Sequence, residues 1–464
     1  MKKINNLYKI VFALIFLVIL NACTTDDLDP ALKQNKDSET GIVSVDNLYA
    51  LIKGAYSRMT NSEYYGRDYI VTNEVRTDNC FSNGNSGRFT TQAGFTYSAN
   101  TGYIWDNCYS VISSANLIIN TDLNSLEGDL DEGNHIKGQA YAIRALAHFD
   151  LLKTYGQQHV GGNLGVPYIT QFLSSTSSEE ELYRSRNTIE EVKNFILSDL
   201  GTAYDLMSVS SNKEFFSKYA AKALESRVAL YFEMWGEAKA AAEIVINSGK
   251  YSIIPKDNYI SSWESNQNVN SIFELAFSAT DNQGINGLAY IYRTDNGVGS
   301  YGDVSALPNV ATLYEEGDVR ADILGYDTNR RGNTYLVNIG KYPDNQGYDN
   351  IPLIRYEEVI LNYAEALFET GGDALTQLNL ITSNRGATAY TSVTKDDILN
   401  ERRKELIFEG FRFDDLVRTG KDIEKIELEQ NFLNTIPYGD YRLAWPIPQS
   451  EMDANSNMEQ NTGY

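Results

Sequence analysis

The highest density of side chains able to do chemistry lies in residues 401–420, ERRKELIFEGFRFDDLVRTG, which carry five positive and five negative charges. Carboxylates at this density could act as a general acid and base, or they could pair with the neighbouring arginines. On a helix, Arg402, Glu405 and Glu409 would fall three and four residues apart, the spacing at which side chains meet. Catalytic carboxylate pairs need room for water and substrate, whereas apolar residues run through this whole stretch. The pattern therefore predicts a partly buried ion-pair network that fixes two elements in one orientation.

Composition narrows the classes of function. The chain has 464 residues, of which 42% are hydrophobic and 22% charged, as expected for a globular protein. A net charge of −23 argues against nucleic acid as a partner, because a phosphate backbone would be repelled. The histidines, His135, His148 and His159, are too scattered for a multi-histidine zinc site. The loop DTNRRGN at 327–333 lacks the closing glutamate of an EF-hand, so neither a metal nor any other cofactor is assigned.

The N-terminus predicts export and lipid anchoring. Lysines precede an apolar run at 10–20, which is too short to span a bilayer as a helix and is typical of a signal peptide. The run ends in Leu-Asn-Ala-Cys at 20–23, which resembles a bacterial lipobox. We expect residues 1–22 to be a lipoprotein signal peptide, Cys23 to be lipidated, and residues 23–40 to form a polar tether. The alternative is an ordinary secretory signal with a chance cysteine.

Amphipathic segments alternate along the rest of the chain. Leu48 and Ile52 share one face of a predicted helix over 45–59. The apolar stripe over 135–156 is broad enough to predict burial against neighbours on two sides. Residues 219–253 indicate two helices that small residues allow to pack closely, loosely resembling a tetratricopeptide unit.

Long irregular segments separate these helices. Residues 61–103 and 251–350 are rich in Gly, Asn, Asp, Ser and Tyr, a composition typical of functional loops or short strands. The sequence thus predicts a mainly α fold of tetratricopeptide-like helix pairs with long irregular loops and a few short strands. We expect a single domain over 41–464, with a helical-repeat part at about 41–250 and a loop-rich part at about 251–464.

Two C-terminal segments resemble a known family. Residues 401–421 resemble the signature R-x-E-L-x-x-E-G-x-R-x-x-D-L-x-R of the SusD/RagB outer-membrane lipoproteins, and residues 445–464 resemble the closing segment of that family. The lipobox and the segments 138–156 and 350–367 fit as well. The matching signature residues are Arg403, Glu405, Leu406, Glu409, Gly410, Arg412, Asp415, Leu416 and Arg418.

The resemblance implies a function in nutrient capture. It implies a SusD-like lipoprotein that is not an enzyme, uses no cofactor, and binds oligosaccharide or polysaccharide at the cell surface. The captured glycan would be delivered to a SusC-like TonB-dependent outer-membrane transporter, on which the protein sits as a lid. The implied location is the outer membrane, lipid-anchored and facing the exterior. No catalytic residue is assigned, because the resemblance makes the charged signature part of the scaffold.

Candidate glycan-binding residues come from the loops. A sugar presents a flat apolar face ringed by hydroxyls, so its site needs aromatic platforms beside hydrogen-bonding groups. The segment NEVRTDNCFSNGNSGRF at 73–89 offers both and resembles a region that contacts ligand in some family members. Its candidates are Arg76, Asp78, Asn79, Phe81 and Arg88. The second loop region adds the aromatics Trp263, Tyr292 and Tyr301. Each of these residues could instead pack in a loop or core, and Asp78 and Asn79 could cap a turn.

Some alternatives stay open at the level of sequence. The protein could be a protein-binding helical-repeat lid of the transporter without a glycan site of its own. It could also be a surface glycoside hydrolase, although no isolated carboxylate pair in an aromatic setting supports that function. Cys80 and Cys108 lie in similar contexts, DNCF and DNCY, and could form a disulfide or remain two buried thiols.

Overall fold

The compact part of the molecule begins where the predicted tether ends. The structure, a computed structural model, describes residues 41–100, 103–174, 176–293, 300–329 and 331–464. Residues 44–464 form one compact unit. The predicted signal peptide, the lipidation site Cys23 and the tether lie outside the described residues, so these features stay predictions. Over the part of the chain that is described, every helix is too short or too polar to span a membrane.

Helices dominate the structure and are numbered here in chain order. They are α1 Val45–Met59, α2 Asp68–Val75, α3 Thr90–Ala93, α4 Tyr103–Asn120, α5 Leu130–Tyr155, α6 Glu179–Leu182, α7 Ile189–Leu206, α8 Lys218–Tyr231, α9 Trp235–Asn247, α10 Tyr259–Ser262, α11 Leu288–Tyr292, α12 Tyr356–Glu369, α13 Ala374–Ser383, α14 Lys395–Leu406, α15 Arg412–Arg418 and α16 Gln449–Ala454. The strands are β1 Cys80–Ser82, β2 Ser271–Leu275, β3 Val304–Ala306, β4 Leu324–Thr328, β5 Thr334–Asn338 and β6 Ile351–Arg355.

The N-terminal helices pack around α5. Helix α5 is buried nearly all round because it lies between α4 and α7, which confirms the prediction from its broad apolar stripe. Local signals fix where the neighbouring helices begin. Ser44 and Asn47 form a capping box at α1, and Thr188 and Glu191 form one at α7.

The predicted helix pairs are also present. Helices α8 and α9 pack together, with Ser226, Ala229, Ala238 and Ala242 fully buried between them and their neighbours. Helix α9 packs in turn on α12, which pairs with α13. Small side chains let such helices approach closely, which is the basis of tetratricopeptide-like stacking. The prediction of a mainly α fold with a few short strands is confirmed.

The long loops are organised by two small antiparallel sheets. One sheet has the strand order β1-β3-β5-β4, and the other pairs β2 with β6. In the first sheet Cys80 lies opposite Ala306 and Ser82 opposite Val304. This pairing brings the segment after α2 next to the segment before β3, although the two are more than 200 residues apart in sequence.

Candidate functional site

The charged signature forms a helix, a tight turn and a second helix. Helix α14 ends at Leu406 and α15 begins at Arg412, so the prediction that Glu409 continues the first helix is wrong. The turn holds Phe408 and Gly410 at positive φ angles of 69° and 83°. A Cβ on Gly410 would lie 3.0 Å from the Cα of Ile70, so glycine is needed here both for the backbone angle and for the approach to α2.

Glu405 is the centre of a buried ion-pair network. Arg385 donates to both of its carboxylate oxygens at 2.9 Å, Arg355 donates at 3.1 Å and Arg320 at 3.3 Å. These four side chains are between 0% and 4% exposed. Burial alone would raise the pKa of Glu405, but the three guanidinium groups hold it well below its usual range.

A second buried group adjoins the first. Arg418 binds both oxygens of Glu365 at 2.6 and 2.7 Å, and it also binds Asp415. Arg402 donates to the same Asp415 carboxylate and to Asn362. The prediction of an ion-pair network is therefore confirmed. Guanidinium groups fill the space in front of its carboxylates, whereas a catalytic pair would need that space for a substrate.

The predicted site residues that directly follow α2 lie inside the protein. Arg76 is 2% exposed, and its guanidinium stacks 3.5 Å from the ring centroid of Phe413. Asn79 is fully buried, where it accepts from Arg403 and donates to the Glu74 carboxylate. Burial raises the pKa of Glu74 to about 7, although the hydrogen bonds donated by Asn79 and by the turn after α14 act to lower it. Apart from one terminal nitrogen of Arg76, which has no hydrogen-bond partner among the described residues, the polar side chains of Arg76 and Asn79 are engaged by the protein itself.

Asp78 and Phe81 also make internal contacts. Asp78 binds Arg412 through both oxygens at 2.7 and 2.8 Å, and it binds Arg403 at 3.0 Å. Burial would raise the pKa of Asp78, but these two guanidinium groups keep it below its usual value. Phe81, in β1, is 4% exposed and packs edge-on against Tyr335 at 5.2 Å. These two residues tie the segment to α15 and to the four-stranded sheet.

Arg88 and Tyr301 meet at the surface, although they come from different loop regions. The Arg88 guanidinium lies 3.8 Å from the centroid of the Tyr301 ring, and the Arg88 side chain is 30% exposed. Its terminal nitrogens reach Asp303 at 3.4 Å and Asn286 at 3.3 Å. Its Nε–H has no partner within the described ranges. We call Asn85, Arg88, Asn286, Tyr301 and Asp303 the Arg88 cluster.

The remaining members hold the Arg88 cluster in shape. Asp303 is fully buried at its side chain and accepts from the backbone and hydroxyl of Ser86, both at 2.8 Å. Asn85 donates to the Tyr301 carbonyl, and Asn286 also accepts from Arg67 at 3.0 Å. The cluster therefore presents an aromatic ring and a guanidinium bordered by the amides of Asn85 and Asn286, and the buried Asp303 carboxylate holds them in place. Asp303 could have been found from its position two residues after Tyr301, whereas no sequence signal pointed to Asn286.

The other two predicted aromatics lie elsewhere. Tyr292 is 1% exposed and packs against Phe408. Trp263 is half-buried, with its ring beside Tyr342 at 5.8 Å and beneath the Lys341 ammonium at 4.9 Å. The indole nitrogen of Trp263 has no hydrogen-bond partner among the described residues. Its adjoining pocket has a volume of about 30 Å³, which is enough for water but not for a sugar ring.

A concavity larger than the pocket beside Trp263 is lined in part by residues of α4. It has a volume of about 420 Å³ and is lined by Trp105, Tyr109, Pro167, Leu173 and Arg184, among others. Trp105 is buried, as the sequence predicts for a helix start, yet its ring contributes to the wall. Half of the lining residues are polar or charged and the other half are aromatic or aliphatic, so this cavity is a second location in which a small ligand could bind.

The structure offers little for metal or acid–base chemistry. The described residues contain no group of three or more His, Cys, Asp and Glu side chains placed to hold a metal ion. Burial raises the pKa of Asp349 to about 7, and Asp344 lies beside it, but the adjoining pocket of about 10 Å³ holds no more than one water. Cys80 and Cys108 are both buried free thiols.

Comparison with known proteins gives consistent matches over most of the chain. A family model described as "Starch-binding associating with outer membrane" matches residues 28–230, and the model of the SusD family matches residues 292–464. The SusD-like protein P38 of Formosa agariphila is 26% identical, with the whole of both chains covered. The starch-binding protein SusD of Bacteroides thetaiotaomicron is 34% identical over 140 residues, which are 29% of this chain and 25% of that protein.

A solved structure agrees with these matches in sequence. A SusD superfamily protein from Bacteroides vulgatus superimposes with a TM-score of 0.83 at 29% identity, over 91% of this chain and 100% of the other. The overall fold of this chain is thus that of a known architecture. The chain belongs to the SusD/RagB family of starch- and glycan-binding proteins associated with the outer membrane.

Proposed function

We propose that the protein captures an oligosaccharide or polysaccharide at the cell surface and delivers it to a SusC-like TonB-dependent transporter. Lipidated Cys23 would anchor it in the outer membrane on the tether of residues 23–40, with residues 41–464 as the binding domain. Membership of a starch- and glycan-binding family supports this function. The Arg88 cluster is the observation that carries the assignment of the site.

The chemistry of the Arg88 cluster suits a sugar. The Arg88 guanidinium lies over the Tyr301 ring at 3.8 Å, and these two flat groups together offer a surface on which the apolar face of a pyranose ring can lie. Arg88 retains an unpaired N–H, and the exposed Ser86 and half-buried Asn85 border the surface with hydrogen-bonding groups. Arg88 and Tyr301 would contact the ligand directly.

The buried candidates would have a positioning role. Asp78 and Asn79 hold the segment on Arg412 and Arg403, and Phe81 fixes β1 in the sheet that carries Asp303. A rigid segment costs less ordering entropy when a ligand binds. Arg76 would support the same segment from below through its contact with Phe413.

Affinity electrophoresis tests the proposal. The soluble form, residues 24–464, is run through gels that contain one polysaccharide each from a panel of starch, β-glucan, xylan, mannan and pectin. We expect one class to retard the protein. Arg88→Ala and Tyr301→Ala should weaken the binding of the matching oligosaccharide at least tenfold in calorimetry. Tyr49→Ala removes an exposed tyrosine elsewhere and should leave the affinity unchanged.

Three outcomes would contradict parts of this proposal. Loss of binding in Tyr109→Ala, with Arg88→Ala unaffected, would move the site to the 420 Å³ cavity. Transporter capture without retardation by any polysaccharide would favour a protein-binding lid without its own glycan site. Release of reducing sugar from the retarding polysaccharide would make the protein a glycoside hydrolase.

A further inference from the structure

The two most exposed large apolar side chains among the described residues belong to one loop. Leu428 is 93% exposed and Leu433 is 87% exposed, and Ile426 beside them is 45% exposed. All three belong to residues 423–436, which we call the leucine loop. Exposed apolar groups that lie together on a soluble domain mark surfaces that another molecule covers.

The leucine loop is held in one conformation. Ile423 and Ile436 close it through two backbone hydrogen bonds of 2.9 Å. Buried Gln430 lies at its centre, where it accepts from the backbone of Ile426 and Glu427 at 2.8 and 3.0 Å. The same side chain donates to the carbonyl of Thr77 at 3.1 Å. The two leucines therefore project from a fixed frame, so little ordering is required when they bind.

Other polar groups of the loop are used internally. Lys425 donates its ammonium to the carbonyls of Leu428 and Gln430 at 3.2 and 2.7 Å. Phe432 is buried and packs edge-on against Phe95 at 5.6 Å. Because the frame is stabilised without Leu428 and Leu433, these side chains contribute little to the fold and remain in unfavourable contact with water.

The charge around the leucines indicates the kind of surface they fit. Asp422, Glu424, Glu427 and Glu429 make no ion pair with any residue of the described ranges. An acidic border is repelled by anionic lipid and is attracted to lysine and arginine. The complementary surface is thus a protein with an apolar socket and a basic border.

The leucine loop adjoins the Arg88 cluster. Asn431 accepts from the backbone N–H of Ser82 and donates to its carbonyl, both at 2.9 Å. The Ser82 hydroxyl donates to the carbonyl of Arg88 at 2.6 Å. Asn431 and Ser82 therefore link the leucine loop to the segment that carries Arg88.

We infer that the leucine loop docks the protein on its SusC-like transporter. Leu428 and Leu433 would insert into an apolar pocket of the transporter that is bordered by basic residues. The identity of the partner rests on the proposed function. Docking at this position would place the transporter beside the captured glycan, so that delivery requires little displacement. The acidic border would orient the encounter, because complementary charge mainly increases the rate and specificity of association.

Co-purification tests the inference on the full chain. Cells express the protein together with a tagged SusC-like transporter, and the amount captured from detergent-solubilised outer membranes is measured. We expect the double variant Leu428→Ser, Leu433→Ser to reduce capture at least tenfold. The matched control Val209→Ser, Val269→Ser replaces two half-exposed valines elsewhere and should leave capture unchanged. Retardation by polysaccharide should be unchanged in both, because neither replaces a residue of the Arg88 cluster.

The outcomes separate docking from glycan capture. Equal capture of wild type and double variant would overturn docking, and so would failure to capture the wild type. Leucine-dependent capture of a protein that no polysaccharide retards would uphold docking and overturn glycan capture. Two other results would overturn the inference if the transporter is not captured. Dimerisation that depends on the leucines, seen by light scattering, would assign the loop to a second copy of the chain. Flotation that depends on the leucines, with vesicles of phosphatidylethanolamine and phosphatidylglycerol, would assign it to lipid.

Discussion

The Glu405 network and the Arg88 cluster use the same residue types for different purposes. Both join guanidinium groups to carboxylates and border aromatic rings. In the network the paired side chains are almost wholly buried, whereas Arg88 is 30% exposed and 3.4 Å from Asp303. Burial therefore decides the role: enclosed charges must satisfy one another, while a half-exposed arginine keeps donors free for a ligand.

The Glu405 network joins several separate parts of the C-terminal half of the chain. Arg355 ends β6, Arg385 follows α13, and Arg320 lies between β3 and β4, yet all three donate to one carboxylate on α14. The desolvation of these groups is offset only while each retains its partners. The network therefore sets the orientation of the C-terminal half and contributes nothing directly to the ligand surface.

Removing the central carboxylate should give the largest loss of stability. Glu405→Ala would leave buried Arg320, Arg355 and Arg385 without their shared acceptor, and breaking a buried pair in this way costs about 3–5 kcal/mol. We expect the free energy of unfolding in urea to fall by that amount. Glu316→Ala, at an exposed acid, should change it by less than about 0.5 kcal/mol. Similar losses in the two variants would show that the network does not stabilise the fold.

The buried carboxylates Glu74 and Glu365 should make stability depend on pH in opposite directions, because Glu365 is paired with a guanidinium group and Glu74 is not. Burial raises the pKa of Glu74 to about 7, whereas Arg418 outweighs burial and lowers the pKa of Glu365 to about 2. The contribution of Glu74 to stability is complete below about pH 4.5 and is lost as pH rises through 7. The contribution of Glu365 is complete above about pH 4.5 and is lost as pH falls through 2.

Urea unfolding between pH 5 and pH 8 measures the Glu74 effect. The raised pKa corresponds to roughly 3 kcal/mol of stability lost across this interval. Glu74→Gln cannot ionise, so we expect its free energy of unfolding to decline less than that of the wild type by about this amount. Parallel pH profiles for the two proteins would mean that Glu74 does not titrate near neutrality in the folded state.

Local features of this fold could be predicted from sequence, and long-range pairings could not. The capping box of Thr188 and Glu191 was readable because its partners are three residues apart. The charged signature was correctly interpreted as an ion-pair network, yet its main partners, Arg320, Arg355 and Arg385, lie outside it. No periodicity encodes a contact between distant segments, so neither those partners nor their number could be derived.

The candidate site shows the same division. Arg88 and Tyr301 were both predicted as site residues, but their contact depends on the pairing of β1 with β3, which a single sequence does not reveal. Arg76 and Asn79 have suitable side chains for a ligand and are nevertheless buried, because α15 and the turn before it pack over α2 and its C-terminal segment. Residue type indicated the right segment, and packing selected the residues within it that face outward.

Replacing an arginine with lysine in each region should contrast their contributions to stability most sharply. The effect on stability should be smallest at Arg88. Lysine keeps the charge but loses the planar fork and has three N–H donors in place of five. Arg385→Lys should lower the free energy of unfolding by about 2 kcal/mol, since five hydrogen bonds to Glu405, Glu357 and backbone carbonyls depend on that fork.

Arg88→Lys should change the free energy of unfolding by less than about 0.5 kcal/mol, because a half-exposed pair contributes little to stability. The affinity for the retarding oligosaccharide should nevertheless fall severalfold, since an ammonium cannot extend the flat surface of Tyr301. Urea unfolding and calorimetry on the same preparation measure both effects. If Arg88→Lys lost stability like Arg385→Lys while retaining full affinity, the Arg88 cluster would be a structural pair, and the difference between the two regions would be one of degree.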